Sequence, residues 1–218
     1  QRRQVFEKKY GVKTSNDYLF SIEKIKPDVI IISVPTEFHC EIITRILDIY
    51  LPKFILCEKP LAYNLDEAKK IVQLCKQYNV SLGVNYMRRF DSAANKVKQM
   101  IDSGEIKLPF RGAVWYSKGG LNNSIHLLNL MACWFGSVRE LEVTNVVRTI
   151  LGNDFDLDYK VKFDCGDVDF KVLKEENFTH YSIELIAQNG RLRYDDEGNL
   201  VFWQSVKDDE VYSGYRKL

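Results

Sequence analysis

Residues Phe54 to Pro60 read Phe-Ile-Leu-Cys-Glu-Lys-Pro, an apolar run that stops abruptly at a charged pair and a proline. A short, continuous apolar run is the pattern of a strand covered on both faces of a parallel sheet. Such sheets place their ligands at the carboxyl ends of the strands, which is where Glu58 and Lys59 fall. A lysine fixed there can hydrogen-bond a substrate oxygen. Taken alone, a Glu-Lys pair after a core strand is a solvated pair, so the neighbouring pattern decides between the two readings.

That pattern is repetitive. Asp28 to Val34 is a β-branched run, followed by Pro35-Thr36 and a helical period from about Glu37 to Tyr50. After the Phe54 strand, Asn64 and Glu67 form a capping-box spacing at the start of a further helix, whose Ala68, Ile71, Val72 and Cys75 share one face. Val80 to Asn85 reads as the next strand. Repeated β–α–β units with buried strands predict an open, doubly wound parallel α/β sheet.

Beyond a helix spanning about Ser92 to Ser103, the strand signals alternate instead. Arg111–Tyr116, Glu142–Thr149, Tyr159–Cys165, Asp167–Lys174, Ser182–Ala187 and Leu192–Tyr194 fit a half-buried pattern. Turn residues at Gly166, Asn189-Gly190 and Gly198-Asn199 separate several of them. One helix interrupts the series, Asn122–Trp134, with Leu127, Leu130, Met131 and Trp134 on one face. The expectation is therefore a Rossmann-like domain over residues 1–88 and an α+β domain with a large, mostly antiparallel sheet over residues 89–218.

The 31 basic and 30 acidic side chains nearly cancel, giving no electrostatic reason to expect nucleic acid or an anionic membrane as partner. No apolar stretch is long enough to span a bilayer, and the basic amino end lacks the apolar run of a secretory signal. Cys40, Cys57, Cys75, Cys133 and Cys165 are unclustered and odd in number. They read as reduced thiols, hence a cytoplasmic chain, and no metal-ligand spacing is present.

Four motifs occur in order: Ser33-Val34-Pro35-Thr36 with His39 following, Glu58-Lys59-Pro60, Asn85-Tyr86-Met87-Arg88-Arg89-Phe90-Asp91, and Gly119-Gly120-Leu121-Asn122-Asn123-Ser124-Ile125-His126. Together they resemble the Gfo/Idh/MocA family of oxidoreductases (glucose–fructose oxidoreductase, inositol dehydrogenase and relatives). The resemblance implies a dinucleotide-binding Rossmann domain, with NAD or NADP as cofactor. It also implies a second domain whose open sheet builds a homo-oligomer, a dimer or tetramer. Position by position, it implies cofactor contacts from Ser33, Pro35, Thr36, His39, Glu58, Lys59, Asn85 and Arg88. Lys59, Arg89, Tyr116, Lys118, Asn123 and His126 would meet the substrate, and Lys59, His126 and Asn122 would carry the catalysis. The implied substrate is a sugar, cyclitol or nucleotide-sugar, oxidised or reduced at a secondary alcohol.

The chemistry matches these types. A neutral imidazole suits removal of a hydroxyl proton, and an ammonium stabilises the developing alkoxide. Outside the motif, His39 and His126 would each read as structural, His39 at a helix start and His126 among core leucines. Two departures stand out. Many family members carry an aspartate four residues before the histidine, where this chain has Asn122. The family's opening GxGxxG turn also has no counterpart here, so the resemblance implies a chain missing both ends. A non-catalytic dinucleotide- or sugar-binding relative, with a regulatory or assembly role, is the competing expectation.

Overall fold

The computed structural model describes residues 2–150, 154–175 and 177–218. The chain divides into two units between Asn85 and Tyr86. The turn carrying Arg88 and Arg89 therefore belongs to the second unit, whereas the sequence boundary was drawn after residue 88.

In the first unit, helices α1 (Arg2–Tyr10) and α2 (Tyr18–Ile25) precede strand β1 (Val29–Ile32). Helix α3 (His39–Ile49), β2 (Phe54–Cys57), α4 (Leu65–Gln77) and β3 (Ser81–Val84) complete it. The strands are parallel in the order β1-β2-β3. Successive right-handed crossovers in one direction put both connecting helices on the same side of a sheet. The core accordingly gathers Ile32, Ile55 and Cys57 with Ile43, Ile46 and Leu47 of α3 and Ile71 and Cys75 of α4. The predicted two-sided burial is met on that face alone. On the other, Val29 and Ile31 are 52% and 65% exposed. Asn64 caps α4 as its spacing predicts, its Oδ1 accepting from Glu67 N–H at 2.8 Å.

The second unit opens with a 3-10 turn, Met87–Phe90, and helix α5 (Ser92–Asp102). Strand β4 (Phe110–Ser117) follows, then a π-helical turn, Gly120–Ser124, running into α6 (Ile125–Phe135). Strands β5 (Val138–Thr149), β6 (Phe155–Phe163), β7 (Gly166–Leu173), β8 (Tyr181–Ala187), β9 (Gly190–Asp195) and β10 (Leu200–Ser205) join β4 in one sheet of order β10-β9-β8-β4-β7-β6-β5. All neighbours are antiparallel except β4 and β7, in keeping with the mostly antiparallel expectation. Strand β10 is an addition to the strands read from the sequence.

Alternation sets the faces. Phe110, Val114, Tyr116, Tyr159, Val161, Phe163, Phe170, Ile183 and Leu185 point into a core shared with Val97, Leu127, Leu130 and Met131 of α5 and α6. Tyr159 and Phe170 stack with centroids 4.5 Å apart, and Trp134 donates its indole N–H to Ala94 O at 3.1 Å, tying α6 to α5. The opposite face carries charge in register. One row runs Glu140, Lys162, Asp167, Arg111 and the next Glu142, Lys160, Asp169, so acid meets base across each strand pair.

Candidate active site

In the first unit, a candidate site lies along the carboxyl ends of the three parallel strands. Glu58 N–H donates to Ile32 O at 2.9 Å and Asn85 N–H to Cys57 O at 2.8 Å, which extends the ladder one residue past each strand. Asn85 Nδ2 then donates to Glu58 Oε1 at 2.6 Å. This side-chain bond fixes the ends of β2 and β3 together. Lys59 is the next residue, half-buried, with a cis peptide bond to Pro60. Ser33 and Pro35 are exposed at the end of β1, whereas Thr36 is buried.

His39 is wholly enclosed at 0% exposure. Its Nε2 lies 3.0 Å from Val34 O and its Nδ1 3.2 Å from Leu61 O. The ring is thus engaged by the turns that follow β1 and β2. The physical reason is its place on the inward stripe of α3 with Cys40, Ile43 and Ile46.

In the second unit, a separate candidate site is the segment between β4 and α6. Lys118 has φ 62° and Gly119 φ 95°, a reversal that directs the chain out of the sheet. Lys118 is a costly occupant of that left-handed region, and Gly119 is required there. A Cβ on Gly119 would come within 2.1 Å of Asp154 Oδ2. Ser124 N–H reaches back to Gly119 O at 3.0 Å, giving the widened π spacing, a form that recurs at functional sites. His126 follows one residue into α6, 8% exposed, with the Tyr86 ring edge-on at 6.1 Å between centroids. Burial pushes the Tyr86 phenol above its ordinary range and keeps it neutral.

Two acids from the hairpin of β5 and β6 grip this segment. Asp154 Oδ1 accepts from Leu121 N–H at 2.8 Å and Oδ2 from Asn122 N–H at 3.0 Å. Asp156 Oδ1 accepts from Gly119 N–H at 2.9 Å while its Oδ2 pairs with Arg148 Nε at 2.5 Å. They are 7% and 0% exposed. Neither was among the residues read from the sequence. The one available signal was the Asp-x-Asp-x-Asp spacing at 154, 156 and 158, more acid than one solvated turn needs.

The other residues expected at a ligand lie as follows. Tyr116 is 0% exposed, with its hydroxyl donating to Leu157 O at 2.5 Å, because strand alternation turns 116 inward and leaves Trp115 outside. Asn123 is buried and donates to Ser117 O at 2.9 Å. Arg88 Nη1 donates to Tyr181 OH at 2.5 Å, with the guanidinium 4.2 Å from that ring centroid. Arg89 is exposed, and its Nη2 is 3.7 Å from Cys133 Sγ. Lys118 is half-buried and Asn122 exposed, the latter donating through Nδ2 to Lys118 O at 3.2 Å. Among the described residues no group of three or more His, Cys, Asp or Glu could hold a metal ion.

Open α/β sheets bind their ligands outside the carboxyl ends of the strands, where these polar residues lie. Residues 1–86 match the oxidoreductase family model described as an NAD-binding Rossmann fold (Gfo/Idh/MocA). The chain is 37% identical over 97 residues to scyllo-inositol 2-dehydrogenase (NAD(+)) of Bacillus subtilis, a segment covering 44% of this chain and 28% of that protein. Its fold matches an NAD binding oxidoreductase from Klebsiella pneumoniae with TM-score 0.79 at 20% identity, covering 96% of this chain and 65% of the other. It also matches the WlbA dehydrogenase from Bordetella pertussis, solved with NADH and UDP-GlcNAcA, with TM-score 0.74 at 15% identity, covering 95% and 71%. The matched segments span from 23% to 32% of the length of curated relatives. Among the described residues, no helix is long and apolar enough to cross a membrane.

Proposed function

We propose that this chain carries the nicotinamide-side and substrate-side residues of an NAD-dependent dehydrogenase acting on a secondary alcohol of a cyclitol, sugar or nucleotide-sugar. The observation that carries the reading is the Glu58–Asn85 bond at the carboxyl edge of the parallel sheet, with Lys59 immediately beyond it. A hydroxyl at Ser33, an ammonium at Lys59 and an amide at Asn85 fit the hydroxyls and carboxamide of a nicotinamide riboside. When bound, the cofactor supplies a hydride acceptor. Lys59 stabilises the developing alkoxide, and Asn85 and Glu58 hold that lysine's loop in place. His126 takes the hydroxyl proton as general base, oriented from Asn122 one turn earlier. Lys118 and the exposed Arg89 remain as substrate contacts.

NAD is favoured over NADP by the relatives named above, and their names also suggest the substrate classes. The open face of the seven-stranded sheet, with charges in register, supports self-association into a dimer or tetramer. Five free thiols suit a cytoplasmic setting.

Turnover of NAD with myo-inositol, scyllo-inositol and UDP-sugars tests the reading. Lys59→Ala is expected to lower kcat/KM by roughly 10²–10³-fold and His126→Ala by roughly 10²–10⁴-fold, with dinucleotide binding largely kept. Dinucleotide binding without turnover on any of these substrates would favour the regulatory or assembly role instead.

A further inference from the structure

Position 122 lacks a carboxylate, yet a carboxylate sits on its backbone. Asp154 Oδ2 accepts the N–H of Asn122 and Oδ1 the N–H of Leu121, both in the turn that leads into α6. Unpaired N–H groups at the start of a helix carry partial positive charge and disfavour a nearby cation. Helical side chains point back toward the amino end, so His126, one turn after Asn122, feels whatever charge lies there. Asp156 adds a second carboxylate at Gly119 N–H, with Arg148 behind it.

We propose that Asp154 is the charge partner of the His126 helix, a positioning residue that fixes the Gly119–Asn122 segment and favours the imidazolium form of His126. The role rests on reading His126 as the proton-transfer group. Several other described groups around α6 are engaged elsewhere. Tyr86 presents a neutral phenol ring. From the 87–90 turn, Arg88 is held on Tyr181 and Arg89 on Cys133. From α5, Lys98 is paired with Asp102 and Asn95 donates to Phe90 O. On the sheet side, Ser124 bonds Tyr159 OH, and Tyr116 OH is engaged by Leu157. Arg148 is a cation on this side and is paired with Asp156, so it opposes the effect of Asp156 more than that of Asp154.

Histidine proton resonances of the full chain, followed by NMR from acid to alkaline pH, test the proposal. The chain has three histidines, and loss of one signal in His126→Gln assigns the relevant resonance. Asp154→Asn keeps the size and one acceptor oxygen and removes the charge. Its His126 midpoint should fall by roughly 0.2–0.7 pH unit, while His180 stays in place. Asp154→Glu should restore most of the shift, a rescue that a purely steric role would not produce. Asp156→Asn, available should Asp154→Asn not fold, should move the midpoint in the same direction by less. An unchanged His126 midpoint in a folded variant overturns the proposal. The NMR arm does not depend on turnover, so an inactive wild-type protein would sink the dehydrogenase reading and leave Asp154 to be judged separately.

Discussion

Each of the two larger sheets is covered by helices on one face, and the uncovered faces differ in character. In the three-stranded sheet it is apolar: Val29 and Ile31 stand in register with Phe54 and Leu56, and Phe54 lies across Gly83, where a Cβ would come within 2.7 Å of its ring. In the seven-stranded sheet it is mainly a lattice of alternating charge, broken by exposed Trp115, Ile186 and Phe202, with ion pairs such as Lys162–Glu140 at 3.1 Å and Arg191–Glu184 at 2.8 Å. The first sheet has strand sequences composed for burial on two sides, and the second for burial on one. Exposure therefore has different consequences in the two units. The apolar face is a surface that water disfavours, whereas the charged face is already satisfied in water, each pair adding at most about 1 kcal/mol.

The largest test of this contrast is in the cores. Phe170→Ala, at a wholly buried position stacked on Tyr159, should cost about 3–5 kcal/mol. Ile55→Ala, equally buried in the first unit, should cost about 2–5 kcal/mol. Urea unfolding followed by Trp fluorescence, which reports Trp115, Trp134 and Trp203 of the second unit, and by far-UV circular dichroism reads both. Identical shifts of one transition by both variants would mean that the units unfold together and are not energetically separate.

Alkali should separate them next. Burial pushes the Cys57 thiol from 9.0 up to about 12, and Tyr116 and Tyr194 from 10.0 up to about 12, with Tyr159 and Tyr181 raised further. In each case the folded state keeps a proton that the unfolded chain releases. The stabilisation is complete below the unfolded value and is lost as pH rises through the folded one. The first unit should begin to weaken near pH 9 and the second, with four such tyrosines, near pH 10 and more steeply. Tyrosinate absorbance accounting for all 12 tyrosines near pH 10 while the fold persists would contradict the buried-phenol account.

Smaller effects follow from local features. Asn64→Ala removes the cap of α4 and should cost about 1 kcal/mol, confined to the first unit and measurable as a lower Tm. Smallest of all, Ile31→Glu on the open apolar face should change stability by no more than about 0.5 kcal/mol, while reducing binding of a hydrophobic dye such as ANS. Lys162→Ala on the charged face should also be nearly silent in stability and leave dye binding unchanged. A dye signal that ignores Ile31→Glu would mean that this face is not the apolar surface of the molecule.

Much of the fold was legible because the relevant forces are local. The Phe54 run, the Asn64–Glu67 cap and the inward stripe of α4 are set by residues within a few positions of one another, and the structure has each of them, except that Val72 of the stripe is 49% exposed and Leu74 packs inward instead. The alternating strands of the second half were legible for the same reason, though their ends were not: β5 begins at Val138, four residues before the expected Glu142, and carries three register shifts against β6. Strand β10 draws its order from pairing with β9, a partner that its own sequence does not announce.

The candidate site was legible in part. Glu58, Lys59 and Asn85 fall at strand ends, and a strand end can be found from one segment. Tyr116, Asn123 and Arg88 have the right chemistry at the right places in the sequence, yet their side chains are engaged inside the second unit by Leu157, Ser117 and Tyr181. Asp154 and Asp156 show the reverse, acids more than 30 residues from the loop they hold.

The sequence by itself determined the two kinds of sheet, the helices between the strands and the position of the Glu58-Lys59 pair, because hydrophobic period and turn chemistry act over a few residues. Only the tertiary structure decided which polar groups stay open to solvent and which brace the protein. That choice depends on the direction of a side chain and on partners brought together from distant segments, where a buried hydrogen-bonding group must be satisfied by whatever backbone or side chain the fold places beside it.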